Sequence, residues 1–215
     1  NDMHDGDFPL AGTPRTHPEW WGKTYYKHFP NHGFVGDIFT VNCKAYPTLT
    51  VKRRKYRMRF LDASISRCYE FMLMKSAGGP VAAKDLGYKD TELQGQYRIQ
   101  DGVQCMQFTQ IASDGGLLRT PIVRDSFELW PAKRREFIID FTKYSNGKAT
   151  QKGDVIYLTN VMKMPDGRMW TNSSRFSPDP KYMIPVLKIV IGDNAPDQSV
   201  MPSPTTVLRE LPPMP

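Results

Sequence analysis

The 215-residue chain has no His-x-His pair, no His-Cys-His run and no Cys-x-x-Cys pair. Its four histidines, His4, His17, His28 and His32, all lie in the first 32 residues, at separations of 13, 11 and 4. Only the last two stand at i,i+4, a spacing that shares a face on a helix, and Pro30 between them forbids that helix. They therefore read as surface or packing histidines, and no residue of the chain is assigned as a metal ligand. Three cysteines, Cys43, Cys68 and Cys105, cannot all pair, so a disulfide framework is not expected and buried free thiols are. No apolar run approaches the roughly 18 residues of a membrane span, and no basic-then-apolar signal peptide opens the chain. Asn1 in place of an initiator Met leads us to expect that the sequence does not begin at a gene start. Ser64, Ser66 and Ser113 lie in no Gly-x-Ser-x-Gly elbow, and no histidine follows them, which argues against a nucleophilic hydrolase. No catalytic or cofactor-binding residue is assigned either.

Lys and Arg number 29 against 22 Asp and Glu, a net charge of +7. Such an excess can mark a nucleic-acid or membrane partner. Here the basic residues gather at Lys52 to Arg59 and Lys133 to Arg135, where strand alternation sends them to a solvated face. There is no Gly-rich phosphate loop and no RNA-binding aromatic motif beside them. Neither nucleic acid nor a membrane span is expected.

The most informative stretch runs from Arg54 to Phe71. Tyr56, Met58 and Phe60 alternate with Lys55, Arg57 and Arg59, the pattern of a strand with one apolar and one cationic face. Asp62-Ala63-Ser64 breaks it, and Cys68 to Met74 resumes as a second strand. Further strands are expected at Gly36 to Asn42, Thr48 to Val51, Phe108 to Ile111, Ser126 to Trp130, Glu136 to Phe141, Asp154 to Val161 and Ile184 to Ile191. Between Met74 and Gln107 the sequence is polar, Gly-rich and weakly periodic, which reads as a long loop or insertion over 76–102. Asp114, before Gly115-Gly116, is expected to bond its own turn amides rather than perform acid-base chemistry. Met164 to Arg168 reads as a turn. Residues 1–32, rich in Pro and aromatics, read as an extended arm or interdomain linker. Residues 193–215, with six prolines, read as an extended linker with no core to bury.

These stretches also carry a resemblance. Arg54-Lys55-Tyr56-Arg57-Met58-Arg59-Phe60-Leu61-Asp62-Ala63-Ser64 resembles the signature opening the middle cupredoxin domain of multicopper oxidases, in the bilirubin oxidase and spore-coat laccase branch. Gly36 to Asn42, Ile111 to Leu118, Pro131 to Phe141 and Leu208 to Pro212 match in the same order, so the resemblance spans about Gly33 to Pro215. Two departures stand out: Cys43 replaces a turn glycine, where a Cβ is disfavoured at positive φ, and Lys133 replaces a Glu, which removes or reverses any ion pair made there.

The resemblance implies an all-β, cupredoxin-like Greek-key β-sandwich over 33–192. Its expected core is Tyr56, Met58, Phe60, Phe71, Leu73, Phe108, Ile111, Leu129, Phe137, Ile139, Phe141, Ile156, Leu158, Leu187 and Ile189. It further implies copper as cofactor of the parent enzyme, and the first and third cupredoxin domains as partners, in the same or a companion chain. A secreted, periplasmic or cell-surface location follows by the same resemblance. Such oxidases hold a blue copper with two His, a Cys and a weak axial ligand, and a trinuclear centre with eight His. Those ligands belong to the outer domains, so none is expected to be bound by this segment. The alternative reading is a self-standing, metal-free β-sandwich serving as a binding or structural module.

Overall fold

The computed structural model describes residues 38–86, 97–162 and 183–210. The N-terminal arm with all four histidines, Gly36-Asp37, the Met164 to Arg168 turn and Leu211-Pro212 lie outside these residues.

Among the described residues the strands are, in chain order, β1 (Thr40–Val41), β2 (Lys44–Ala45), β3 (Thr48–Arg53), β4 (Lys55–Leu61), β5 (Tyr69–Lys75), β6 (Pro80–Ala82), β7 (Tyr97–Ile99), β8 (Val103–Met106), β9 (Phe108–Ser113), β10 (Gly116–Arg124), β11 (Ser126–Leu129), β12 (Arg134–Asp140), β13 (Val155–Asn160) and β14 (Ile184–Asn194). A single 3-10 turn, Ala83–Leu86, interrupts them. Strands β10-β9-β12-β4 form a four-stranded sheet, and β11-β5-β13-β14-β3 form the other, with β8 added beside β5. All pairings are antiparallel except β3 with β14. Short corners carry the chain between sheets, from β3 to β4 at Arg54 and from β10 to β11 at Asp125, so sequence neighbours face each other across the core.

The alternation in β4 appears as expected: Arg57 and Arg59 are exposed, while Tyr56, Met58 and Phe60 turn inward. These three are half-buried rather than buried, because β4 is an edge strand and its inward row meets neighbours on one side only. The fully enclosed layer comes from central strands. It includes Phe71 and Leu73 of β5, Phe108 of β9, Phe137 and Ile139 of β12, Ile156 and Leu158 of β13, and Ile189 of β14. Leu187 is partly buried against it. Phe39, Val51, Phe127, Val186 and Ile191 join that layer and were not anticipated.

Where the sequence suggested a long loop, the described part is ordered into β6 paired with β7, followed by β8 against β5. Strands of three or four residues are too short for a period to register in sequence. Ile99 is fully buried with Met74, Tyr157, Val161 and Met183, and its amide donates to the Met183 carbonyl at 3.0 Å. Asp101 ties the entry of this excursion, accepting the amides of Ala77 (2.7 Å) and Gly78 (3.0 Å). It is β8, rather than β9, that forms a hairpin with β5, which puts Cys105 in the irregular register between Leu73↔Met106 and Met74↔Gln104. Cys68 lies before β5 and does not bridge it.

The β1–β2 turn keeps its left-handed conformation in spite of the missing glycine, with φ of 49° at Asn42 and 65° at Cys43. Cys43 is exposed, against the expectation of buried thiols. Strand β10 was not foreseen. Pro121 obscures it, and the structure accommodates Pro121 in an edge strand, within a register shift between Leu117 and Ile122.

Phe137, fully buried amid the rings of Phe60, Phe108 and Phe127, sets the stability of the sandwich. Phe137→Ala is expected to cost about 3–5 kcal/mol, and the half-buried Phe60→Ala less. Urea unfolding of both variants checks the order, and equal losses would contradict it.

Candidate functional site

Three groups of polar side chains are held by hydrogen bonds or charge contacts in the described residues. At the β4–β5 corner the Asp62 carboxylate accepts the Ser64 amide at 2.8 Å, a local turn bond of the kind Asp favours. Ser64 and Tyr69 share a hydroxyl–hydroxyl bond of 2.8 Å. Arg67, 7% exposed, sets its guanidinium 4.9 Å over the Phe39 ring. Burial raises the Asp62 pKa, opposed by the Ser64 bonds and by Arg67, and burial lowers that of Arg67. The other oxygen of Asp62 has no hydrogen-bond partner. This corner neutralises buried charge; it presents no acid and base poised on a common cavity.

A second cluster lines a cleft of about 170 Å³ along β11, bounded by Glu70, Arg124, Ser126, Phe127, Glu128 and Arg135. Ser126 donates to the Glu70 carboxylate, and the Glu70 amide donates to Asn160 Oδ1 at 3.0 Å. Arg124 donates to Gln110 Oε1 and Arg135 to the Glu128 carbonyl, both at 2.8 Å. Burial, then the neighbouring Arg124 charge, lowers the Arg135 pKa. Two cations and two carboxylates leave the cleft with no net charge to select an ion of either sign.

The third cluster joins Lys75, Tyr144 and Asp154. Lys75 Nζ lies 4.2 Å over the Tyr144 ring and 3.6 Å from Asp154, which also accepts the Tyr144 hydroxyl and the Gln151 amide (2.8 Å). Burial opposes the charge on Asp154, but those hydrogen bonds outweigh it and lower its pKa. Cys105 nearby has its thiol pushed up to about 12 by burial, so it is neither a nucleophile nor a ready metal ligand at neutral pH.

The partners of Asp114 differ from those expected. It reaches across to the β11–β12 turn, accepting the Arg134 amide at 2.7 Å and pairing with Lys133 Nζ at 3.1 Å. Lys133 thus makes an ion pair with a carboxylate of the β9–β10 turn. The β11–β12 turn needs fastening, since Ala132 sits at φ 65°. Asp62 holds it from the other side, donating its amide to the Lys133 carbonyl (3.1 Å) and accepting the Ala132 amide (2.9 Å).

Among the described residues no three of His, Cys, Asp and Glu lie close enough to hold a metal ion, and the histidines fall outside them. No described helix is long and apolar enough to cross a membrane.

No family model matches the chain. Among curated proteins it is 33% identical over 166 residues to a laccase of Bacillus subtilis (strain 168), covering 72% of this chain and 25% of the laccase. It is 30% identical over 183 residues to a bilirubin oxidase of Albifimbria verrucaria, covering 84% of this chain and 25% of that protein. In structure it resembles a variant of the McoA multicopper oxidase of Aquifex aeolicus, with a TM-score of 0.56 and 24% identity over 88% of this chain and 32% of that one. The fold is therefore an all-β sandwich of the cupredoxin-like class. More particularly, the chain is a multicopper oxidase domain. It spans about a quarter of the length of the curated relatives it matches.

Two outcomes follow from these clusters. The Arg134 amide and the Lys133 charge hold the Asp114 pKa below the ordinary carboxylate range. Its contribution to stability is thus present at neutral pH and lost as pH falls from about 5 toward 2. The gap in urea midpoint between wild type and Asp114→Asn should close over that range, and a gap independent of pH would contradict the pairing. In thiol labelling at pH 8, exposed Cys43 should react first, and Cys68 and Cys105 only on unfolding.

Proposed function

We propose that this chain is the middle, copper-free domain of a multicopper oxidase, an enzyme that couples one-electron oxidation of a reducing substrate to four-electron reduction of dioxygen to water. The observation that carries the reading is proportion: most of this chain aligns with only about a quarter of each laccase or bilirubin oxidase relative. The resemblance of Arg54 to Ser64 to the signature opening the second cupredoxin domain supports assigning that quarter there. In this reading the domain covers 33–192, with 1–32 and 193–215 leading to its neighbours, the first and third cupredoxin domains. Copper is the cofactor of the parent enzyme and is held by those neighbours.

The donor chemistry supports the same reading. The four histidines lack the paired spacing that a copper cluster needs, and the sequence holds no His-Cys-His run. The domain then acts mechanically, holding apart the two domains whose interface forms the trinuclear centre. An oxidase of this kind works outside the cytoplasm, in a secreted, periplasmic or cell-surface setting.

Copper loading tests the assignment. The purified chain, loaded with copper, dialysed and read by atomic absorption, should retain well under one equivalent. A stoichiometric, blue-absorbing species would overturn it.

A further inference from the structure

Beyond β14 the chain does not leave the sandwich. Asp197, its side chain 8% exposed, accepts the Lys55 amide at 2.7 Å and Lys55 Nζ at 3.2 Å. Its other oxygen accepts the Ser199 amide at 2.9 Å and the Ser199 hydroxyl. A turn follows, with the Thr206 amide donating to the Ser203 carbonyl and the Ser203 amide to Thr206 Oγ1, each at 2.9 Å. The Leu208 amide then donates to the Arg119 carbonyl at 2.8 Å. Lys55 opens β4 and Arg119 lies in β10, and these are the two opposite edges of the four-stranded sheet. Three interstrand gaps of about 4.8 Å separate them, a span the eleven steps from Asp197 to Leu208 cover with slack for the turn.

The outer face of that sheet bears the mark of a cover. Across the strands Val123, Thr109, Ile138 and Arg57 stand in one row, and Leu117, Ala112, Glu136 and Arg59 in another. Both rows point outward with the exposed arginines, yet Thr109 and Ala112 are only 6% and 4% exposed. Met201, Pro202 and Leu208 are themselves half-buried.

We propose that residues 195–208 form a strap across this face, and that Asp197 is the positioning residue that latches it. The domain thereby fixes the place and direction in which the chain departs. The consequence for a following domain rests on the middle-domain reading, whereas the latch itself does not.

Amide hydrogen exchange on the copper-free chain tests the latch separately from that reading. Asp197→Ala should raise exchange at Leu208 about tenfold or more, since it removes charge-assisted bonds, while Phe137 and Leu158 stay protected. Asp197→Asn, which keeps the acceptor and loses the charge, should fall between. Leu208→Pro removes the far anchor without touching Asp197 and should speed tryptic cleavage after Arg209. Unchanged exchange at Leu208 in Asp197→Ala would overturn the proposal. So would parallel loosening of Phe137 and Leu158, which would make Asp197 a general fold determinant, and so would wild-type cleavage in Leu208→Pro.

Discussion

The contact on which the structure most depends is that between Phe127 and Phe137, whose ring centroids lie 4.2 Å apart. Phe127 belongs to β11 of the larger sheet and Phe137 to β12 of the smaller, so this pair joins the two layers. Around it Phe108 at 4.8 Å, Phe60 at 5.1 Å and Phe71 at 5.6 Å, each measured to Phe127, form a knot of rings drawn from five strands. Aromatic pairs add about 0.5–1.5 kcal/mol beyond their buried area. The knot also selects geometry, because edge-on and tilted rings interlock in few ways. The corners must then return each strand to the register that brings its phenylalanine inward.

That requirement explains where charge has been buried. The main chain of Asp62, whose carboxylate is buried, and the partly exposed carboxylate of Asp114 grip opposite sides of the β11–β12 turn, which delivers Phe137 into the knot. Glu70 and Asn160 join β5 to β13 beside the strand that carries Phe71. Burying a carboxylate is unfavourable unless it is bonded. Here the Asp62 carboxylate accepts the Ser64 amide and the Glu70 carboxylate the Ser126 hydroxyl, both near strand ends where a slip of one residue would turn an apolar row outward.

Much of this was legible in the chain. The alternation from Lys55 to Phe60 declared a strand and the right inward face, and the strongly apolar runs at Phe137–Phe141 and Ile184–Ile191 declared strands. Edge position was not legible: it depends on which strand has a neighbour, a long-range property, and so Tyr56, Met58 and Phe60 emerged half-buried. Strand β10 was hidden by Pro121, whose missing amide is harmless at an edge and prohibitive elsewhere. Strands β6 and β7 were hidden by brevity, and only buried Ile99 and Arg98 reveal that the excursion is part of the fold. For Asp114 the local turn chemistry pointed to its own loop, and the partner supplied by β12 was invisible at a separation of twenty residues.

The edges themselves constrain how such a domain meets others. An open strand edge invites pairing with another chain, and a sandwich of two open sheets has four. Strand β11 is only four residues long, and β10 carries Pro121 and an irregular register, with Leu208 bonded at Arg119. Strand β4 presents Lys55, Arg57 and Arg59, the first already engaged by Asp197, and β3 ends in Lys52 and Arg53. Brevity, proline, charge or an occupying segment thus blunts these four edge strands. A neighbour is left the faces and the corner loops, contacts that orient a rigid body without extending its sheets. Strand addition at an open edge would let copies of the sandwich associate without limit, and the blunted edges oppose it.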